Sequence, residues 1–585
     1  MANKRLFTSA PPGKVAPSSD TTNEAGGRAY VRSDKGILAQ FASTGCLNST
    51  FYTKDEDQLK LTLGLAGKVD SEFLARVAIY SREQGFMKDM PALLTAILFG
   101  RTKGIRSEDE RNPTRLAFKA AFGRCIDNGK MLKNFVQIVR SGVVGRKSVG
   151  ATALKKLIQK WFDGHTDDQL VWNSIGNDPS LGDVIRLARV NPRTPARRAL
   201  FKWITGLDVG EKDHKFGYNA DALPQLVKDY EAWKSSTKGA RPGKPPRVPF
   251  QMLTSLDLSN GDWEQIAKDA SWTQTRMNLN TFLRHGVFSK PKNIKLIADR
   301  IKNRELIKKA KVFPYQLYTA YNYTARQVGM PPKVSMALQQ ALDISLENIP
   351  AIDGHVVLAP DLSGSMGAAV TGNRDNSATG TGAQARRGHA RGATTVVSCR
   401  EVAALVTAAF LRKMPETTIL PFSDHVDIVQ LNPLDSVATN AQRLSRLPSG
   451  GTDCSLPLRH LNTNRIAADL VIYVSDYESW LNQDGQNVHR YGWGARDLNM
   501  ASGMMTEWNL FKSRNPKARL VCVDLCPNPT GQVIVQDDIL SIGGWSDACF
   551  KLIADFARNG NDGEQWVKRI EAQPLYEGVT PRVAP

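Results

Sequence analysis

The sequence predicts two fold types in one chain, an all-α helical array followed by an α/β doubly wound domain, and three observations carry this. From about residue 36 to 350, apolar residues recur at spacings of three and four with short polar turns between them, the period of amphipathic helices. After residue 350 the texture changes to short apolar runs alternating with helical stretches, which implies a mostly parallel sheet covered on both faces. Charge divides at the same place. Residues 1–350 carry 55 Lys and Arg against 33 Asp and Glu, a net of +22, while residues 351–585 carry 22 against 24, a net of −2, which together make the +20 of the chain.

At 585 residues the chain is too long for a single core and has ample apolar material for two. Residues 1–24, polar and rich in Pro, Ser and Gly, are expected to form a disordered tail. The helical domain then spans 25–350. Its clearest segments are ALLTAILFG (92–100), RLAFKAAFGRCI (115–126), KMLKNFVQIVR (130–140) and TALKKLIQKWF (152–162), each bounded by Gly, Asn or Asp. No strict period links them, so a degenerate, HEAT-like stacking of helix pairs is expected, with a plain bundle as the alternative. KSSTKGARPGKPPR (234–247), with five basic residues, three prolines and no acid, reads as an exposed loop.

The second domain is expected over 351–560. Its candidate strands are HVVLAP (355–360), TTILPFS (417–423), VDIVQLN (426–432), DLVIYVS (469–475) and RLVCVDL (519–525), with helices at 398–414, 504–513 and 548–559. A Gly, Ala and Arg-rich stretch at 368–397 reads as a flexible insertion, and 561–585 as a C-terminal helix and tail. The seven cysteines are scattered without zinc-ligand spacing, and no signal-peptide core or run of 18 apolar residues is present. A soluble, cytoplasmic protein in a reducing compartment, with no membrane partner, is the expectation.

The most specific motif is HVVLAPDLSGSMG (355–367), where a buried strand runs into Asp361, Ser363 and Ser365. One carboxylate and two hydroxyls on one loop are hard oxygen donors suited to Mg²⁺. Thr452 in SGGTDCS and Asp476 at the end of LVIYVSDYES would add donors from two further loops. In a parallel sheet all three loops lie beyond the strand C-termini, where ligands bind. The competing reading of DxSxS alone is a capped helix start. The three loops together resemble the metal-ion-dependent adhesion site (MIDAS) of von Willebrand factor A (vWA) domains. Largely neutral donors leave the ion charge to attract an acidic partner, so recognition is expected here and not catalysis. Glu478 is the one nearby candidate base, and a solvated loop position is its competing reading.

In the helical half, cations cluster at Arg140, Arg146, Lys147, Lys155, Lys156 and Lys160, at Arg186, Arg189, Arg193, Arg197 and Arg198, and along 289–311. Lys156 and Lys160, four apart, and the adjacent Lys155 are expected to lean toward one helix face. Such runs are often solvated helix faces. Several in one basic domain favour a surface that tracks phosphates, with single-stranded or looped RNA setting specificity.

GCLNSTFYTKDEDQL (45–59), ATALKKLIQKWFDG (151–164), SLGDVIRLARVNP (180–192), APDLSGSMG (359–367), SGGTDCSLPL (449–458) and VIYVSDYESW (471–480) together resemble the Ro autoantigen family, in which a TROVE domain precedes a vWA domain. The resemblance covers roughly 25–560 and suits a bacterial or phage member. It implies a helical-repeat ring that binds small noncoding, Y-like RNA on its basic outer surface and admits single-stranded ends of misfolded RNA into its hole. It further implies a noncatalytic, monomeric ribonucleoprotein scaffold for RNA quality control, with an exoribonuclease or other acidic protein as partner at the metal site. The chain departs from animal members at Leu181 and Arg189, where they carry histidine, and in the insertion after Met366. A metal-dependent protein-interaction co-chaperone that does not act on RNA is the alternative, and a Mg²⁺-dependent RNA-processing enzyme a third.

Overall fold

The structure is a computed structural model. It describes residues 16–576 except 46, 106–110, 177–178, 207–219, 238–240, 242–243, 311, 313, 326, 348, 372–396, 480–499, 545–546 and 560–563. The insertion's 372–396 and the C-terminal tail from 577 therefore lie outside the described residues.

Nineteen α-helices among the described residues precede residue 350. Their starts follow local chemistry. Asp70, Asn112, Asn128, Thr166, Ser180, Thr194, Ser259 and Ser271 each accept a first-turn backbone N–H with their side chains, and Pro113, Pro195, Pro291 and Pro332 occupy first-turn positions where no N–H is needed. Some helices are buried all round, as Asp89–Arg101 is from Met90 to Phe99, and others bury one apolar stripe on their neighbours. In Thr152–Asp163 the stripe is Leu154, Ile158 and Phe162, spaced by four.

The C-terminal domain is built on a five-stranded, wholly parallel sheet of order β4-β3-β5-β6-β8, comprising β3 (Val356–Pro360), β4 (Thr418–Ile419), β5 (Leu470–Ser475), β6 (Arg519–Asp524) and β8 (Ile539–Gly543). Alternate residues face opposite sides. Leu358, Leu470, Ile472, Val521 and Leu540 pack in one cluster with the helix Cys399–Lys413, while Val357, Val471, Tyr473, Leu520 and Ile539 pack in the other with the helices Leu456–Thr463 and Gly503–Arg514. The stretch 426–432, predicted as a strand, makes only an isolated bridge at Val426 and runs on as irregular backbone, with Ile428 exposed. A β-branched run without a pairing neighbour has no ladder to join. Conversely β8 went unpredicted, because DDILSIGG is short and flanked by acids and glycines.

The expected boundary at residue 25 and the disordered tail need correction. Residues 1–15 lie outside the described residues, but 16–24 are placed against the C-terminal domain. There β1 (Thr21–Thr22) pairs with β2 (Arg28–Val31), and β2 pairs with β7 (Thr530–Gly531). Tyr30 is buried among the core residues of that domain, its hydroxyl donating to Pro17 O at 2.7 Å. Gly27 permits this approach, since a Cβ there would stand 1.8 Å from the carbonyl oxygen of Ser479. A segment polar in composition is held because its partners, some 450 residues away, satisfy its backbone.

Both ends of the helical array rest on the C-terminal domain, which closes it into a ring. At the beginning, the helix Asp34–Thr44 lies on β8, and Gln40 donates to the carbonyls of Asp524 (3.4 Å) and Cys526 (3.0 Å). At the other end, Pro314–Ala325 and Pro332–Ser345 meet Cys399–Lys413 and Val437–Ser445, with Gln442 bonded to Asn322 at 2.7 Å. The expected C-terminal helix, Gln565–Glu571, packs back on Ser71–Glu83, and Lys35 pairs with Glu571 at 2.5 Å. A single hydrophobic cluster runs from Ile37 to Leu575 through the array and one face of the sheet.

Candidate metal centre and nucleic-acid interface

The sheet register brings the five candidate metal donors together. Pro360 and Val474 are paired, so β3 and β5 end side by side and release Asp361 and Asp476 at the same edge, with the Asp361 N–H donating to Val474 O at 3.0 Å. The loop after Asp361 turns back on itself: the Ser363 N–H donates to Asp361 Oδ1 at 2.8 Å, and the Ser363 and Ser365 hydroxyls stand 3.2 Å apart. Gly364 N–H reaches Gly450 O at 3.1 Å, which brings the Thr452 turn alongside, and Ser479 Oγ donates to Thr452 O at 3.3 Å. All five predicted donors, Asp361, Ser363, Ser365, Thr452 and Asp476, are buried on these three adjoining loops.

Electrostatics favour a cation there. Burial raises the Asp361 carboxyl, against hydrogen bonds from Ser363 and Ser475, and burial together with the charge of Asp361 raises Asp476. Two carboxylates that cannot comfortably ionise together, flanked by hydroxyls and lacking a direct ion-pair partner among the described residues, match the hard-oxygen preference of Mg²⁺. No group of three or more His, Cys, Asp or Glu side chains gathers to hold a metal among the described residues, so the hydroxyls would have to complete the donor set.

Several site residues escaped sequence reasoning. Ser475 donates to Asp361 Oδ2 at 2.5 Å and accepts the Tyr477 N–H at 2.9 Å, orienting one carboxylate and turning the chain after the other. Tyr52, from the helical half, lies near Ser365; burial and then the Asp476 and Glu478 charges push its phenol up. Its neighbour in the same loop, Asn48, donates to Thr371 O at 2.7 Å at the base of the insertion. That stem is closed by the Val370 N–H on Val397 O at 2.9 Å. Asn528 Nδ2 donates to Asp476 O at 2.7 Å, and Arg32 pairs with buried Asp524 at 3.0 Å. Ser475 lay within the quoted LVIYVSDYES, and Asn48 and Tyr52 within GCLNSTFYTKDEDQL, whereas Asn528 and Arg32 carried no sequence signal. Glu478 is not the solvated loop residue of the competing reading: it is 1% exposed, with Oε2 accepting the Ala25 N–H at 3.0 Å. Burial holds it well above the usual carboxylate range, and the N-terminal segment lies against it.

The predicted cations sort into two groups. The helix Leu181–Ala188 packs on both Gly129–Ser141 and Thr152–Asp163, and Arg140, Lys147, Lys156, Lys160, Arg186, Arg189 and Arg193 are exposed on or beside these three helices. At about 100° per residue, Lys156 and Lys160 sit opposite the Ile158 stripe about 40° apart, whereas Lys155 falls on its flank. Lys155 is accordingly half-buried, so the three do not share one face as expected. Arg186 and Arg193 reach Asp183 and Asp163 at 3.5 and 3.4 Å, in exposed pairs, and Arg186 also donates to Thr205 O at 2.5 Å.

Arg146 and Arg197 belong to the fold. Arg146 lies 4.7 Å over the Phe99 ring, half-buried. Arg197 is consumed by Asp167 (2.5 Å), Phe162 O (2.7 Å) and His165 O (2.7 Å), holding the end of one helix to the start of the next. Arg197 is therefore a poor candidate for an RNA contact, because a phosphate would have to displace three bonds. Leu181, where animal Ro proteins carry histidine, is fully buried.

Residues 388–488 match the family model described as the Ro60 vWA domain. Over 494 residues, 79% of this chain and 84% of the relative, the chain is 22% identical to the protein named RNA-binding protein RO60 of Deinococcus radiodurans. The crystal structure of the Deinococcus radiodurans RO (RSR) protein superposes with a TM-score of 0.58 at 17% identity, covering 90% of this chain and 99% of that one, a likeness of fold. The chain is thus similar in fold to the Deinococcus radiodurans Ro protein, and residues 388–488 within its C-terminal half match the Ro60 vWA domain model.

Proposed function

We propose that this protein is an RNA-binding scaffold that holds small noncoding, Y-like RNA and the ends of misfolded RNA on its helical ring, in a ribonucleoprotein concerned with RNA quality control. One observation carries this reading: seven cations scattered over 54 residues of sequence are all exposed on or beside Gly129–Ser141, Thr152–Asp163 and Leu181–Ala188, the last of which packs on both of the others. Phosphates can be tracked by such a face without base-specific contacts. The name of the Deinococcus relative, an RNA-binding protein, points the same way.

Within this reading the C-terminal domain recognises protein. Asp361, Ser363, Ser365, Thr452 and Asp476 would hold Mg²⁺, which supplies a positive centre for the carboxylate of an acidic partner such as an exoribonuclease. Ser475 orients Asp361, and Tyr52 ties the site to the helical half. The role is noncatalytic, since the one candidate base, Glu478, is engaged by the backbone of the N-terminal segment. No helix among the described residues is long and apolar enough to cross a membrane; a monomer in the cytoplasm is part of the proposal.

The test is to purify the full chain, sequence the RNA that accompanies it, and titrate that RNA against unrelated RNA of equal length. Enrichment of a small structured RNA supports the reading. Protein free of nucleic acid with no affinity for RNA at low salt, yet binding acidic proteins in Mg²⁺, would favour the co-chaperone instead.

A further inference from the structure

The sulfur atoms of Cys399 and Cys526 stand 3.9 Å apart, across 127 residues of sequence. Their settings differ. Cys399 opens the helix Cys399–Lys413 and is 2% exposed, its backbone fixed by a capping box in which Ser398 and Glu401 bond each other reciprocally. Cys526 lies in the loop after β6 and is partly exposed. Its N–H donates to Asp524 Oδ1 at 3.1 Å, and its carbonyl accepts Gln40 Nε2 at 3.0 Å. That loop joins three parts of the molecule. Gln40 docks the first helix of the ring on it, and Asn528 within it supports Asp476 at the metal site.

We infer that Cys399 and Cys526 are a disulfide-forming site, which peroxide closes to staple the start of the helix Cys399–Lys413 to the loop at the seam between ring and C-terminal domain. A disulfide needs sulfurs about 2.05 Å apart, so the gap must close by about 2 Å. Cys526, on a loop, supplies that movement; Cys399 sits at a helix start held by its capping box. The Cys526 sulfur attacks hydrogen peroxide, the O–O bond breaks, and the leaving hydroxide takes the thiol proton as water, leaving a sulfenic acid. The Cys399 sulfur then attacks the Cys526 sulfur, the S–O bond breaks, and hydroxide departs with the Cys399 proton as a second water. Two thiols are oxidised by two electrons in total, and one peroxide is reduced to two waters. The hydrogen bond between the thiols, with burial, keeps Cys526 protonated well above the ordinary thiol range, so closure is slow and needs sustained peroxide.

The test uses the full-length protein. It is held in peroxide, its remaining thiols are alkylated, and the digest is mapped by mass spectrometry. The expected result is a joined pair of peptides containing Cys399 and Cys526, two fewer alkylatable thiols, and full reversal by dithiothreitol. Cys399→Ser should leave a sulfenic acid on Cys526 that dimedone captures, and Cys526→Ser should leave Cys399 alkylatable. Circular dichroism checks that both variants fold, and the wild-type map decides the matter if they do not. Oxidised wild type in which Cys399 stays alkylatable while Cys526 carries sulfenic or sulfinic acid, or in which either residue pairs with another cysteine, overturns the inference.

Discussion

Replacing Lys156 and Lys160 together by alanine tests the RNA surface most directly, and its size can be worked out beforehand. Both side chains are exposed on the side of Thr152–Asp163 away from its buried stripe, so neither substitution removes packing. Each phosphate contact with a single strand contributes about 0.7 to the slope of log affinity against log salt, so the pair should lower that slope by about 1.4. Across a fourfold rise in salt, from about 50 to 200 mM, the deficit of the variant relative to wild type should therefore shrink by about sevenfold. Filter binding at several salt concentrations, with two RNAs of unrelated sequence, measures it. The loss should be alike for both RNAs, and Lys155→Ala alone, being half-buried, should change the slope less than either neighbour does. Affinity unchanged at low salt would remove this helix from the interface, and loss confined to one RNA would replace phosphate tracking with base recognition.

Asp361→Ala or Ser363→Ala should abolish Mg²⁺ binding in calorimetry while RNA affinity stays within a few-fold of wild type, because the cations of the interface lie on the ring; a folded variant that loses both would put RNA at the ion. The raised Asp361 and Asp476 carboxyls mean that, without an ion, the native state binds more protons than the unfolded chain, so stability falls as pH rises through their native values. Mg²⁺, which needs the ionised forms, should therefore raise the thermal midpoint more at about pH 8 than at about pH 5, and equal shifts would refute the assignment. Arg197→Ala should cost about 1–3 kcal/mol in urea denaturation by stranding Asp167 and two carbonyls, with RNA affinity of the folded protein retained. Gly27→Ala should cost about 1–3 kcal/mol through collision with Ser479 O and speed hydrogen exchange in residues 20–31; wild-type exchange there would mean that the N-terminal strands do not hold that position.

Local chemistry was enough to place much of this molecule. The four helical segments singled out by period, and four of the five apolar runs, form where their side-chain spacing puts them, since a stripe every three or four residues or an unbroken apolar run states its own burial. The same holds for Asp361, Ser363, Ser365, Thr452 and Asp476, because strand ends in a parallel sheet converge by topology and the motif loops carry their donors with them. What the tertiary structure alone decided depends on partners distant in the chain. Within the polar segment 16–31, Arg28–Val31 became a strand because β7, 500 residues on, offered it hydrogen bonds, and Thr21–Thr22 pairs with it in turn. The run 426–432 found no such neighbour and stayed irregular. Tyr52 came near Ser365 because the first helix of the ring docks on β8, and Arg197, alike in sequence to Arg193, became structural because Asp167 and two helix-end carbonyls surround it. Side-chain type sets what a residue can bind; only packing decides whether the fold has already used it.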